Sequence, residues 1–173
     1  MKALNKTLLV AALSVFTTGS VIAASDGTLG STSTGSADVL IIKDDAVNLT
    51  NVGDLDLGQF SSVAADISAS DDVCVFNSTA SYRVTVTSAN SAFELRNGAD
   101  SIPYELTWQD SVAAAASPLV HAAAFGGQSG DRSSPTCGGS TNATFEVTVA
   151  SADFNSAAPG TYTDTLTLMI EPE

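Results

Sequence analysis

Histidine is almost missing from this 173-residue chain, which has one; cysteine is limited to two residues, tryptophan to one, and lysine plus arginine to six. Each scarcity removes a class of activity. The single histidine, His121, lies between Val120 and Ala122 with no nucleophile or carboxylate at a recognisable spacing, so base-assisted nucleophilic hydrolysis has no visible machinery. The nucleophile-elbow pattern G-x-S-x-G is also absent, because Asp131 stands where Ser129 would need its second glycine. Two cysteines 63 positions apart make no C-x-x-C redox pair, and no Cys/His cluster has zinc-ligand spacing. Six basic residues against nineteen acidic ones, a net charge of −13, argue against nucleic acid and anionic lipid, which need clustered Lys and Arg. No apolar run approaches the roughly 20 residues of a membrane-spanning helix, so membrane insertion is not expected.

What is present begins with an export signal. Lys2 and Lys6 precede an apolar run from Leu8 to Phe16, and Val21-Ile22-Ala23-Ala24 offers small residues for cleavage after Ala23 or Ala24. Residues 1–24 are read as that signal, 25–36 as a flexible polar leader and 37–173 as one β-sandwich domain. Export places the protein outside the cytoplasm, in the periplasm or at the cell surface of a bacterium. Loss of Lys2 and Lys6 leaves 4 basic residues against 19 acidic ones, 4 − 19 = −15, a charge that favours solubility and self-repulsion. In an exported chain Cys74 and Cys137 are expected to form one structural disulfide.

Short alternating runs separated by Gly, Asn, Ser and Asp clusters indicate an all-β fold. Ala37 to Lys43 holds Val39, Leu40, Ile41 and Ile42, a continuous apolar run of the kind found in a strand covered on both faces. Val47 to Val52, Asp54 to Phe60 and Val73 to Phe76 follow as shorter candidates. The stronger strands place Tyr82, Val84 and Val86, then Ile102, Tyr104, Leu106 and Trp108, then Phe145, Val147 and Val149 on single faces. Asn97-Gly98 marks a hairpin whose connection reads as longer than two residues. Asp110 to Pro118 is alanine-rich, with a short helix and an ordered loop about equally expected, and Phe125 to Cys137 reads as a long polar loop. The closing stretch, Gly160 to Glu173, alternates Tyr162, Leu166, Leu168 and Ile170 with Thr161, Thr163, Thr165 and Thr167, and Asp164 interrupts its apolar face. A strand in that position is paired on both edges or leaves one for another molecule.

Three acidic pairs, Asp44 with Asp45, Asp54 with Asp56 and Asp71 with Asp72, hold oxygen ligands of the type calcium takes. They lack the EF-hand order and read first as solvated loop carboxylates. No pair stands out for glycoside cleavage, and no metal, cofactor or catalytic residue is assigned. Lys43, the one lysine beyond the signal, reads as a charged strand end.

The signal, Leu57-Gly58-Gln59-Phe60, the strand after Cys74 and Pro159-Gly160-Thr161-Tyr162-Thr163-Asp164-Thr165-Leu166 together resemble the spore coat protein U domain family, itself similar to subunits of archaic chaperone-usher pili. The terminal G-x-Y-x-D-x-L-x-L pattern is the most specific part. The resemblance implies an immunoglobulin-like, pilin-like sandwich short of its last strand, completed by a periplasmic chaperone and then by a neighbouring subunit's N-terminal extension. This chain departs from the family in having no cysteine upstream of Cys74, so its disulfide fastens a different pair of elements. The expected function is a non-catalytic structural subunit of a surface filament, pilus or coat. Its expected partners are copies of itself or other filament subunits, a periplasmic chaperone and an usher. Val39, Leu40, Ile41 and Ile42, with Tyr162, Leu166, Leu168 and Ile170, are the candidate assembly strands. The alternative is a self-contained extracellular module that binds calcium or carbohydrate.

Overall fold

The computed structural model describes residues 24–111 and 115–173, so the export-signal reading lies, apart from Ala24, outside the described residues. Two compact units divide the chain at Lys43 and Asp44. In the first, Ser25 and Ser36 exchange backbone hydrogen bonds of 2.9 and 3.0 Å, so the polar leader closes into a loop. Residues 37–43 form no strand, and Val39, Ile41 and Ile42 are 96%, 91% and 75% exposed. The covered strand expected there does not form within the single chain. A strand exists only when its backbone groups find a ladder partner, and among the described residues this run has none.

The second unit is an all-β sandwich. Its strands are β1 (Val47–Thr50), β2 (Ile67–Asn77), β3 (Tyr82–Ser88), β4 (Glu94–Asn97), β5 (Asp100–Pro103), β6 (Glu105–Asp110), β7 (Ser117–Pro118), β8 (Ala124–Gln128), β9 (Ala143–Val149) and β10 (Leu166–Pro172); a single turn and a half of helix, α1 (Ser151–Ser156), joins the last two. One sheet has the order β1-β2-β9-β6-β7 and the other β10-β3-β8, while β4 and β5 form a separate hairpin, and every strand pairing is antiparallel. Alternation explains which faces meet. Val84 and Val86 of β3, Leu106 and Trp108 of β6, and Phe145, Val147 and Val149 of β9 are all at most 4% exposed and pack into one core with Val73, Val75 and Tyr82. Trp108 crosses Tyr82 edge-on at 6.5 Å between ring centroids, and its Nε1 donates to the Tyr82 hydroxyl at 3.2 Å.

The strand order is that of an immunoglobulin-like domain with one strand left out. In the constant-type arrangement the first, second, fifth and fourth strands make one sheet, and the third, sixth and seventh make the other. Here β1, β2, β9 and β6 occupy the first set, and β3 and β10 take the third and sixth places, with β8 on the far side of β3. Among the described residues no strand takes the seventh place, beside β10.

Several expectations need correction. The Asn97-Gly98 connection is a two-residue turn, since Asn97 pairs with Asp100 and Gly98 supplies the positive φ of 63° that such a turn requires. Part of the expected polar loop after Phe125 is a strand, β8, held by its pairing to β3 despite Gly126 and Gly127. At the end of the alanine-rich stretch Ser117 and Pro118 pair with Trp108 and Thr107 as an edge strand; residues 112–114 lie outside the described ones.

A candidate assembly groove beside the last strand

The free edge of β10 is rich in unpaired backbone. Ala89 N donates to Thr165 O just before β10, and Glu173 N donates to Ser81 O just after it. With the register Leu166↔Ser88 to Pro172↔Tyr82, alternate antiparallel pairs carry the bonds, so Thr165, Thr167, Met169, Glu171 and Glu173 point their amides and carbonyls toward β3. Leu166, Leu168 and Ile170 therefore aim theirs away from β3. On that side no strand among the described residues receives them.

The same three side chains line the core face and are only half-buried, whereas the inward residues of β3, β6 and β9 are fully covered. A groove of about 350 Å³ runs alongside Leu166 and Leu168. One wall is Asp164 to Leu166 with Leu168; the other is Val52 to Leu55 with Leu57, beyond β1; Phe145, Val147, Tyr104 and Leu95 form the floor. Local chemistry fixes both walls. Gly53 N donates to Asp71 Oδ2 at 2.6 Å and Gly58 N to Asp56 Oδ1 at 2.8 Å, which hold the segment after β1 in an open, non-strand course. Asp164 accepts from the Tyr104 hydroxyl at 2.6 Å through Oδ2 and from Thr165 N at 2.7 Å through Oδ1. Burial first, and then the adjoining Asp164 carboxylate, push the Tyr104 phenol well above the ordinary tyrosine range.

Of the expected assembly residues, Leu166, Leu168 and Ile170 lie on β10 itself. Tyr162 precedes it, outside any strand, with its hydroxyl donating to Ala158 O at 2.9 Å, because the chain there turns to pair Thr163 with Arg96. Cys74 and Cys137 are bonded, with Cα atoms 5.9 Å apart. The bridge ties β2 to the connection between β8 and β9. It falls where β2 leaves β9 after Val73 and takes up β1 from Cys74 onward. Sequence reasoning found the alternation of Leu55 and Leu57 but not their role as a groove wall. The floor comes from two separate strands, β4 and β9, and from Tyr104 between β5 and β6, and no local signal marks it.

Of the acidic pairs, Asp71 and Asp72 are both engaged locally. Asp72 Oδ1 accepts from Thr144 Oγ1 at 2.5 Å, and Asp71 is engaged with Gly53 as described. Among the described residues no group of three or more His, Cys, Asp or Glu is placed to hold a metal. His121 packs edge-on against Phe93 at 5.4 Å, a structural position. No described helix is long and apolar enough to cross a membrane.

No family model matches the chain, and no curated protein sequence does. Among solved structures, the fold is similar to a chain of a chaperone–tip adhesin complex described as vital for synergistic activation of CFA/I fimbriae biogenesis. The TM-score is 0.54, with 16% identity over 75% of this chain and 43% of that one. The match thus spans less than half the length of that protein. At such identity the likeness is one of fold, and it agrees with an immunoglobulin-like, pilin-like sandwich.

Proposed function

We propose that this protein is a non-catalytic structural subunit of a bacterial surface filament, pilus or coat, related to the spore coat protein U domain family and assembled by donor-strand complementation. The observation that carries the reading is the vacant seventh-strand place: an unpaired β10 edge above half-buried Leu166, Leu168 and Ile170, bordered by an apolar groove. A strand from another molecule satisfies both deficits at once, giving the backbone its ladder and the groove its missing side chains. Within this reading residues 1–24 are an export signal, and residues 25–36 tether a donor, Val39 to Ile42, to the sandwich. A periplasmic chaperone fills the groove before a neighbouring subunit does, and an usher passes the subunit to the surface.

Electron microscopy of the purified mature protein, alongside a gel comparing samples with and without heating in detergent, tests the reading. Fibres and a heat-sensitive ladder are expected. A protein that stays monomeric at every concentration, and that gives a heat of binding with calcium or a glycan, points instead to the self-contained binding module.

A further inference from the structure

The groove is lined by two acids, Asp54, exposed on the wall beyond β1, and Asp164 on the opposite wall. Asp164 is half-buried at its rim, both of its carboxylate oxygens accept hydrogen bonds, and among the described residues no Lys or Arg forms an ion pair with it. Arg96, the nearby cation, is paired to Glu94, and Arg83 to Glu171. The only lysine beyond the signal, Lys43, directly follows the exposed run Val39-Leu40-Ile41-Ile42.

Resting on the function proposed above, we infer that the segment Ala37–Lys43 of a second copy enters the groove antiparallel to β10 in one register, with Lys43 opposite Asp164. That register places Ile41 opposite Leu166, Val39 opposite Leu168 and Ala37 opposite Ile170, so the donor's odd residues share the core face with β10's even ones. Seven donor residues match the seven from Asp164 to Ile170. The one-residue slips each fail on charge, and a two-residue slip that sets Val39 opposite Leu166 forgoes the Lys43–Asp164 pair. Sliding the donor by one residue one way sets Asp44 opposite Asp164, like charges directly across a ladder; sliding it the other way turns Asp38 into the apolar groove against Leu168. A parallel donor that keeps Val39 and Ile41 opposite Leu166 and Leu168 carries Lys43 to Ile170, six residues along β10 from Asp164. The Lys43–Asp164 pair thus fixes both direction and register, as buried or rim charges do at other specific interfaces.

Two sets of variants of the full mature chain test this. Lys43→Glu and Asp164→Lys, each alone, are expected to weaken assembly roughly tenfold, and the double exchange to restore it. Asp164→Asn, which keeps a partner for Tyr104, separates loss of charge from loss of folding. A cysteine pair at Val39 and Leu168 is expected to cross-link neighbouring copies through the directly opposed positions, and a pair at Val39 and Leu166 to fail. A wild-type protein that never assembles overturns the proposed function and this register with it. Assembly that is indifferent to the charge variants, or cross-linking at Val39 with Leu166, overturns the register alone. A Val39–Leu168 cross-link confined to the monomer band shows that the chain's own segment is the occupant and overturns the second copy.

Discussion

At the scale of single residues, the core rests on one polar contact that an apolar interior makes costly to lose. Trp108 and Tyr82 are fully buried, and the Tyr82 hydroxyl is the acceptor for Trp108 Nε1. Tyr82→Phe leaves that N–H without an acceptor in a dry site, so a loss of about 1–3 kcal/mol is expected in urea unfolding followed by the fluorescence of the lone tryptophan. Burial also pushes the Tyr82 phenol above the tyrosine range, with the Trp108 N–H offsetting a part, and Tyr104 is raised in the same direction. The sign follows from linkage. A group whose folded pKa exceeds its unfolded value gives stability that is complete below the unfolded value, about 10 for tyrosine, and is lost as pH rises beyond it. The melting temperature should therefore hold near neutral pH and fall above about pH 10, and Tyr82→Phe should flatten that fall. A melting temperature unchanged between mild and strong alkali would show that neither phenol is held neutral. Asn142 works at the same scale. Its Oδ1 accepts from Val75 N at 2.8 Å and its Nδ2 donates to Val75 O at 2.9 Å, a side chain standing in for the ladder where β2 has left β9.

At the scale of elements, the disulfide acts where β2 changes partners. It closes a loop of 63 residues, for which the chain-entropy estimate is about 4 kcal/mol. Replacing both cysteines by serine should lower the urea midpoint accordingly, and a midpoint within error of the parent would mean that the loop from β8 to β9 is held without it. Asp131 helps from the same loop, donating its N–H to Val75 O and accepting from Asn77 N. What the sequence disclosed here follows from how local each cause is. The strands β3, β6 and β9 were legible because a period of two with large apolar residues admits few other readings. By contrast, β8 was hidden by Gly126 and Gly127, its stability lying wholly in pairing with β3. The helix α1 was hidden because its first amide, Ser151 N, is capped by Asp66 Oδ1 at 2.8 Å, a residue 85 positions away. In the candidate site, the alternation of Leu166, Leu168 and Ile170 was visible, and so was the apolar run Val39 to Ile42. The floor of Leu95, Tyr104, Phe145 and Val147 was not, since only the sandwich topology assembles it.

For the whole molecule, the proposed assembly sets attraction at one groove against repulsion between acidic subunits. With the proposed export signal removed, each copy carries 4 − 19 = −15 charges, so copies repel at low salt, where the screening length is about 30 Å, and far less at 0.15 M, where it is about 8 Å. Burial of Val39 and Ile41 contributes about 1.5–3 kcal/mol each and the ladder adds more, while ordering the donor costs about 1–2 kcal/mol per residue. The surplus is small enough for a free peptide to reveal it. A chain lacking residues 25–43 keeps the groove and cannot donate a strand. Adding a peptide of residues 37–45 at about a hundredfold excess over its dissociation constant should stabilise that chain by about 2.7 kcal/mol, a rise of roughly 5–10 °C in melting temperature. The same peptide with Val39→Asp and Ile41→Asp should leave the melting temperature where it was, because both apolar side chains that enter the groove are lost. Raising the salt should strengthen filament growth by the intact protein through screening of the net charge, while the peptide, whose side chains carry 1 − 3 = −2 against −15 for a whole copy, should respond less. A truncated chain that melts at the parent's temperature and ignores the peptide would show that the β10 edge needs no donor, and the vacant seventh place would then be a finished surface of the fold.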